Sequence, residues 1–132
     1  MTYALDSNII SFMLKGNTTV RTRFCKAMDA GGSCIIPPVV YYEVKRGLLA
    51  VNATAKARDF EQLSEDFGIG EMDIKKWDKA AHLYAEYRKH NVGDADTFIA
   101  AYCIDEGFTL VTNNVKHFKH IDGLKIEDWS EE

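Results

Sequence analysis

The seven residues from Phe98 to Ile104, Phe-Ile-Ala-Ala-Tyr-Cys-Ile, carry no charge; Asp94 and Asp96 precede them, and Asp105-Glu106-Gly107 follow. A helix that is apolar around its whole circumference has no face to offer water, so it belongs at the centre of a domain. Gly107 ends it. The remaining elements then have to pack around this one helix.

Those elements alternate in kind. Tyr3-Ala4-Leu5 reads as a first strand and Ser7 to Leu14 as a helix ending near Gly16. Residues 18–30 form a second helical pattern, stopped by Gly31-Gly32. Cys34-Ile35-Ile36 is a brief strand closed by Pro37-Pro38, and Val39 to Leu49 is helical again. Phe60, Leu63 and Phe67 mark one face of a helix over 53–67, Ile69 to Met72 is a candidate short strand, and 74–90 repeats the helical spacing. Thr109 to Thr112 and Leu124 to Ile126 supply the last strands. Short strands separated by helices predict an α/β fold with a mainly parallel sheet flanked by helices. At 132 residues the expectation is a single domain over 1–132. In such sheets ligands bind beyond the carboxyl ends of the strands, here after Leu5, Ile36 and Val111.

Several function classes drop out. No segment has the uninterrupted apolar length needed to cross a bilayer, so no membrane role is expected. The opening MTYALDSN has neither a basic start nor an apolar signal core, and the expected address is the cytoplasm. Cys25, Cys34 and Cys103 are three, widely spaced and without a CxxC pair, which predicts reduced thiols and no structural zinc. No Gly-rich phosphate loop is present. The net charge of -4 is unevenly spread: eight Lys/Arg against four Asp/Glu in 1–60, and eight against sixteen in 61–132. A basic half can meet phosphates while acids elsewhere hold cations, although scattered surface charge explains the same numbers.

The acids at the strand ends are more informative. Asp6 directly follows the first strand, where it serves equally as the N-cap of the next helix. Glu43 lies among apolar neighbours in Val39-Val40-Tyr41-Tyr42-Glu43-Val44, and an inward-facing carboxylate needs a partner, a proton or a cation. Asp94 and Asp96 open the apolar helix. Capping accounts for one acid there, not two, and residues two apart on a helix point in different directions. Both therefore reach one site only if Asp94 still lies in the preceding loop. Asn113-Asn114 follow the late strand, either as turn formers or as amides beside a carboxylate. Together these groups form a set of hard oxygen donors suited to magnesium or manganese and to phosphodiester hydrolysis.

In this order the residues resemble the PIN-domain family, and within it the VapC-like ribonuclease toxins. The resemblance spans nearly the whole chain through Leu5-Asp6-Ser7-Asn8-Ile9-Ile10, Glu43 after Ile35-Ile36-Pro37-Pro38, Asp96-Thr97-Phe98-Ile99-Ala100-Ala101, Leu110-Val111-Thr112-Asn113-Asn114 with Phe118, and Gly123 to Trp129. It implies a PIN-like three-layer sandwich and a Mg2+ or Mn2+ site built from Asp6, Glu43 and Asp96. Where many relatives carry a fourth acid, this chain has Asn114, so Asp94 and Asn114 compete for that position. Ser7 and Thr112 are expected to support the carboxylates. The implied activity is endonucleolytic cleavage of RNA, with transfer RNA as a family-level substrate.

Arg21, Arg23, Lys45, Arg46 and Lys116 are the candidate contacts to the RNA backbone. The implied partners are a VapB-like antitoxin, docking near the helices at 39–49 and 53–67, and a second copy of the chain. Trp77, Tyr84 and Tyr87 are candidates for that dimer interface, with core packing the expectation for most of them. His117 and His120 are expected at the surface. The rival readings are a PIN fold that binds RNA or protein without cutting and, of another class, a receiver domain or a dehalogenase-like phosphatase. The last two lack the acid and lysine spacings they require.

Overall fold

A computed structural model describes residues 1–131. Its strands are β1 (Thr2–Leu5), β2 (Ser33–Ile35), β3 (Thr109–Val111) and β4 (Lys125–Glu127), all parallel, in the order β2-β1-β3-β4. The helices are α1 (Ser7–Leu14), α2 (Thr18–Asp29), α3 (Pro38–Ala50), α4 (Thr54–Phe67), α5 (Ile74–Tyr87), α6 (Asp94–Glu106) and α7 (Val115–Phe118), with a 3-10 turn at Arg88–His90 between α5 and α6. Parallel neighbours need crossovers, and β1, β2 and β3 are each followed by helix. Among the described residues no helix is long and apolar enough to cross a membrane.

The strand order places the functional crevice. From β1 the chain moves outward to β2, then returns across β1 to β3 and continues the opposite way to β4. Because such crossovers are right-handed, the two directions send their helices to opposite faces of the sheet. The packing follows in part: α2 lies against α1, and α5 and α7 lie against α6, whereas α3 and α4 of the return crossover pack beside α1, with α3 also touching α6. The reversal point falls between β1 and β3, whose register pairs Leu5 with Val111. A crevice opens there at the carboxyl ends of the strands.

α6 is the central helix that its sequence predicts. Thr97, Ile99, Ala100, Ala101, Tyr102 and Cys103 are all buried, and Phe98 and Ile104 pack on the core as partly buried neighbours. Burial pushes the Cys34 thiol up to about 12 and the Cys103 thiol higher still, so both are inert core groups. The expected strand at Ile69 to Met72 shrinks to one parallel bridge, Ile36 with Ile69. The cause is covalent. Ile36 is followed by Pro37-Pro38, whose missing N–H groups end the ladder on that edge.

Candidate active site

Asp6 is the hinge between β1 and α1. Its backbone is extended, its N–H donates to Val111 O at 2.9 Å, and its Oδ1 caps α1 by accepting from Ser7 N at 2.8 Å. Capping is only half of its role. Oδ2 accepts from Thr112 Oγ1 at 2.7 Å and from Asn8 Nδ2 at 3.1 Å. Thr112, fully buried just after β3, in turn accepts from Asn114 N at 3.0 Å. Ser7 Oγ lies at 3.5 Å from Asp6 Oδ1, the longest of these contacts.

Glu43 projects from α3 toward the same crevice. Burial raises its pKa first, and the charge of Asp6 raises it further; Arg46, one turn on, pulls it back, and Asp96 pushes it up again. Asp96 stands in the first turn of α6. Its pKa is also raised, by burial above all, against the lowering effects of the Gly93 N–H and His117, with Asp6 adding to the rise. Glu43 thus feels Asp6 and Asp96 across the reversal point, Asp96 feels Asp6, and both Glu43 and Asp96 are disfavoured as anions.

Both contacts to Asp96 fall on one oxygen. Gly93 N donates to Oδ2 at 3.3 Å, and His117 Nδ1 lies 3.4 Å from the same atom. Among the described residues Oδ1 of Asp96 and both oxygens of Glu43 have no hydrogen-bond partner. Among those residues, too, no three His, Cys, Asp or Glu side chains close into a compact cage. An open set of carboxylate oxygens suits Mg2+, which keeps several of its waters and takes only one or two protein carboxylates. The donor chemistry fits the ion.

The other expected residues separate clearly. Asp94 is the first residue of α6, already in the helix, and is exposed. The condition for it to share a site with Asp96 is therefore not met. Asn114 lines a cleft with Ser7, Asn8 and Glu43. Of these basic residues, Arg46 is the one whose charge acts on Glu43, and it stacks over Tyr42 at 5.0 Å. Lys45 is paired with Glu61. Arg23 donates to the carbonyls of Asp128 and Glu131 at 3.4 and 3.0 Å, fastening residues 128–131 to α2. Arg21 and Lys116 are exposed on α2 and α7.

Sequence reasoning left two residues without a role. Asn8 forks across the crevice, donating to Asp6 and accepting from Asn113 N at 3.0 Å through its Oδ1. His117 is half exposed, as expected of a surface histidine, yet its ring reaches Asp96. The one sequence signal for it was its spacing of three from Asn114 across the short α7. A further correction concerns the aromatic residues of α5: of Trp77, Tyr84 and Tyr87 only Tyr87 is core, while Trp77 and Tyr84 remain 45% and 47% exposed.

An all-parallel sheet with carboxylates at its reversal point defines a class, the α/β domains that work on a ligand at their strand ends. Comparison then supplies the family. Residues 3–124 match the PIN domain family. The tRNA(fMet)-specific endonuclease VapC of Shigella flexneri is 32% identical over 136 residues, covering 97% of this chain and 98% of that protein. Ribonuclease VapC2 of Rickettsia felis is 27% identical over 136 residues, covering 98% of each. The crystal structure of VapBC2 from Rickettsia felis bound to a promoter DNA fragment superposes with a TM-score of 0.86 at 25% identity, covering 98% of this chain and 99% of that one. The chain belongs to the PIN-domain family, with VapC proteins as its relatives.

Proposed function

We propose that the chain, as one PIN domain over 1–132, is a cytoplasmic endoribonuclease toxin of a type II toxin–antitoxin pair that hydrolyses RNA phosphodiester bonds with Mg2+ or Mn2+. The observation that carries this reading is the convergence of Asp6, Glu43 and Asp96 on one crevice at the strand ends, where burial and the charge of Asp6 disfavour Glu43 and Asp96 as anions and a divalent cation would relieve both. In this reading the three carboxylates hold the ion together, one or two of them directly and the rest through its waters. Bound there, it supplies Lewis-acid chemistry, making water a better nucleophile and offsetting charge on the phosphate oxygens.

The chain's own groups prepare the site. Thr112 and Asn8 fix the Asp6 carboxylate, with Ser7 at its edge; His117 and Gly93 N hold one oxygen of Asp96 and leave the other free. Asn114, on the same cleft as Glu43, takes the fourth position in preference to the outward Asp94. Arg46 is the first choice for a phosphate contact, with Arg21 and Lys116 free to extend the track and Lys45 and Arg23 held in other pairs. Transfer RNA is the substrate suggested by the Shigella flexneri relative.

A VapB-like antitoxin would cover the site from the side of α3 and α4, as the VapBC assemblies among the structural relatives suggest. Ile74, Trp77 and Tyr84, exposed along α5, are the surface we assign to a homodimer. The test is cleavage of RNA with Mg2+ or Mn2+ by the wild type and by Asp6→Ala, with Asp6→Asn as a variant that keeps the shape of the capping side chain. Loss of cutting in both, with folding retained, supports the assignment; equal cutting by either removes it.

A further inference from the structure

Between α1 and α3, continuous with the carboxylate crevice through Glu43 and Asn114, lies a cleft of about 370 Å³. Its far walls come from Ser11 and Leu14 of α1 and from Gly47 and Leu48 of α3. We propose that this cleft receives one nucleobase of the RNA beside the scissile phosphate, an assignment that rests on the ribonuclease reading above.

Gly47 carries most of the argument. It stands inside α3 with ordinary helical backbone, and a methyl group added there would meet nothing within 4 Å. Glycine inside a helix weakens it relative to alanine. Neither a left-handed conformation nor a close approach within the protein requires glycine at this point. What its missing side chain does provide is open space in the wall of the cleft, next to the acids. A guest that fills that space accounts for the residue.

The lining describes the guest. Leu14 and Leu48 offer apolar surface to a flat ring, while the Ser11 hydroxyl and the Asn114 amide have no side-chain hydrogen bond among the described residues. They are available to a base edge. Single-stranded RNA is read by packing on the face of a base and hydrogen bonds to its edges, and here leucine side chains take the place that aromatic rings hold elsewhere. No Lys or Arg is among the lining residues, so the backbone phosphates lie elsewhere and a neutral part of the nucleotide enters. The size suits one nucleoside.

The experiment has two arms. In the first, 15N-labelled protein is titrated with adenosine, guanosine, cytidine and uridine. The amides of Ser11, Gly47 and Leu48 are expected to shift, unequally among the four nucleosides, and the shifts to vanish in Gly47→Leu. In the second, RNA cleavage is compared among wild type, Gly47→Ala and Gly47→Leu, alongside Mn2+ affinity and melting temperature. Gly47→Leu should keep the Mn2+ affinity, lose about tenfold in kcat/KM on the preferred RNA and alter the base preference at one position flanking the cut. Gly47→Ala should melt higher than wild type.

Unchanged base preference in Gly47→Leu overturns the proposal, as does a lower melting temperature for Gly47→Ala. Loss of antitoxin binding by Gly47→Leu with RNA preference intact makes the cleft a peptide site and also overturns it. Nucleoside shifts at the cleft in a protein that cuts no RNA would retire the nuclease reading while supporting the cleft assignment.

Discussion

Thr112 donates its hydroxyl hydrogen to Asp6 Oδ2 at 2.7 Å, joining residues 106 positions apart. The bond ties the ends of the two strands that flank the reversal point, and Asn8 adds a second tie from Asp6 to the backbone at Asn113. The site is therefore part of the sheet's own closure.

Thr112→Val keeps the shape but removes the donor, leaving the Asp6 oxygen and the Asn114 N–H short of a buried partner. We expect a loss of about 2 kcal/mol, read from urea unfolding, and a cleavage rate lowered by about tenfold as the carboxylate loses its setting. Thr112→Ser should restore most of both.

Glu43 and Asp96 have pKa values raised above the ordinary carboxylate range. Between the ordinary and the raised value the folded state binds more protons than the unfolded chain, so metal-free stability rises as pH falls through that window. At neutral pH, Glu43→Gln and Asp96→Asn should each stabilise the metal-free protein by less than about 1 kcal/mol, since both groups are partly solvated and screened. Each should also abolish cleavage and reduce the melting-temperature increase produced by Mn2+. A wild type whose melting temperature ignores Mn2+ and Mg2+ would count against the carboxylates as a cation site.

Asp105 behaves in the opposite sense. Lys76, and then Lys75, hold its carboxyl below the ordinary range. Its contribution is present in full above the ordinary value of 3.8 and is lost as pH falls through the depressed one. Lys76, raised by the same contacts, contributes fully below its ordinary 10.5 and loses its contribution only in strong alkali. Through this ion pair, unfolding midpoints should therefore drop as pH falls below the ordinary carboxylate range. In Lys76→Met the acid limb should be shallower and the protein less stable at neutral pH, because Asp105 and Glu106 lose their common partner.

Trp129 is 1% exposed, with its ring centroid 5.2 Å from Tyr3 and 6.3 Å from Phe24. Trp129→Ala should cost about 3–5 kcal/mol, enough to unfold a marginal domain at moderate urea. Loss of less than about 1 kcal/mol would mean that the closing segment contributes little.

The exposed stripe on α5 has a hydrodynamic test. Trp77→Lys with Tyr84→Lys should leave the fold intact and halve the mass measured by light scattering. An unchanged mass would count against α5 as the proposed homodimer surface.

Much of this protein is written locally. Asp6 at a strand end, the charge-free turn pair in α6 and the Pro37-Pro38 stop are each legible because a few neighbouring residues set the backbone and the period of burial. The order β2-β1-β3-β4 is not local, because it depends on which short strands pair across the chain, and strands of three or four residues carry no such address. Side-chain roles followed suit. Sequence left Asp94 and Asp96 as rivals, and the tertiary structure separated them by starting α6 at Asp94, so the helical turn sends one acid outward and the other toward Asp6. Asn8 gained its second partner, and His117 its one to Asp96, only when the segment after β3 and α7 were folded beside them. Chemistry types came from sequence; their convergence needed long-range contacts, which hydrogen bonds and burial specify only in the folded chain.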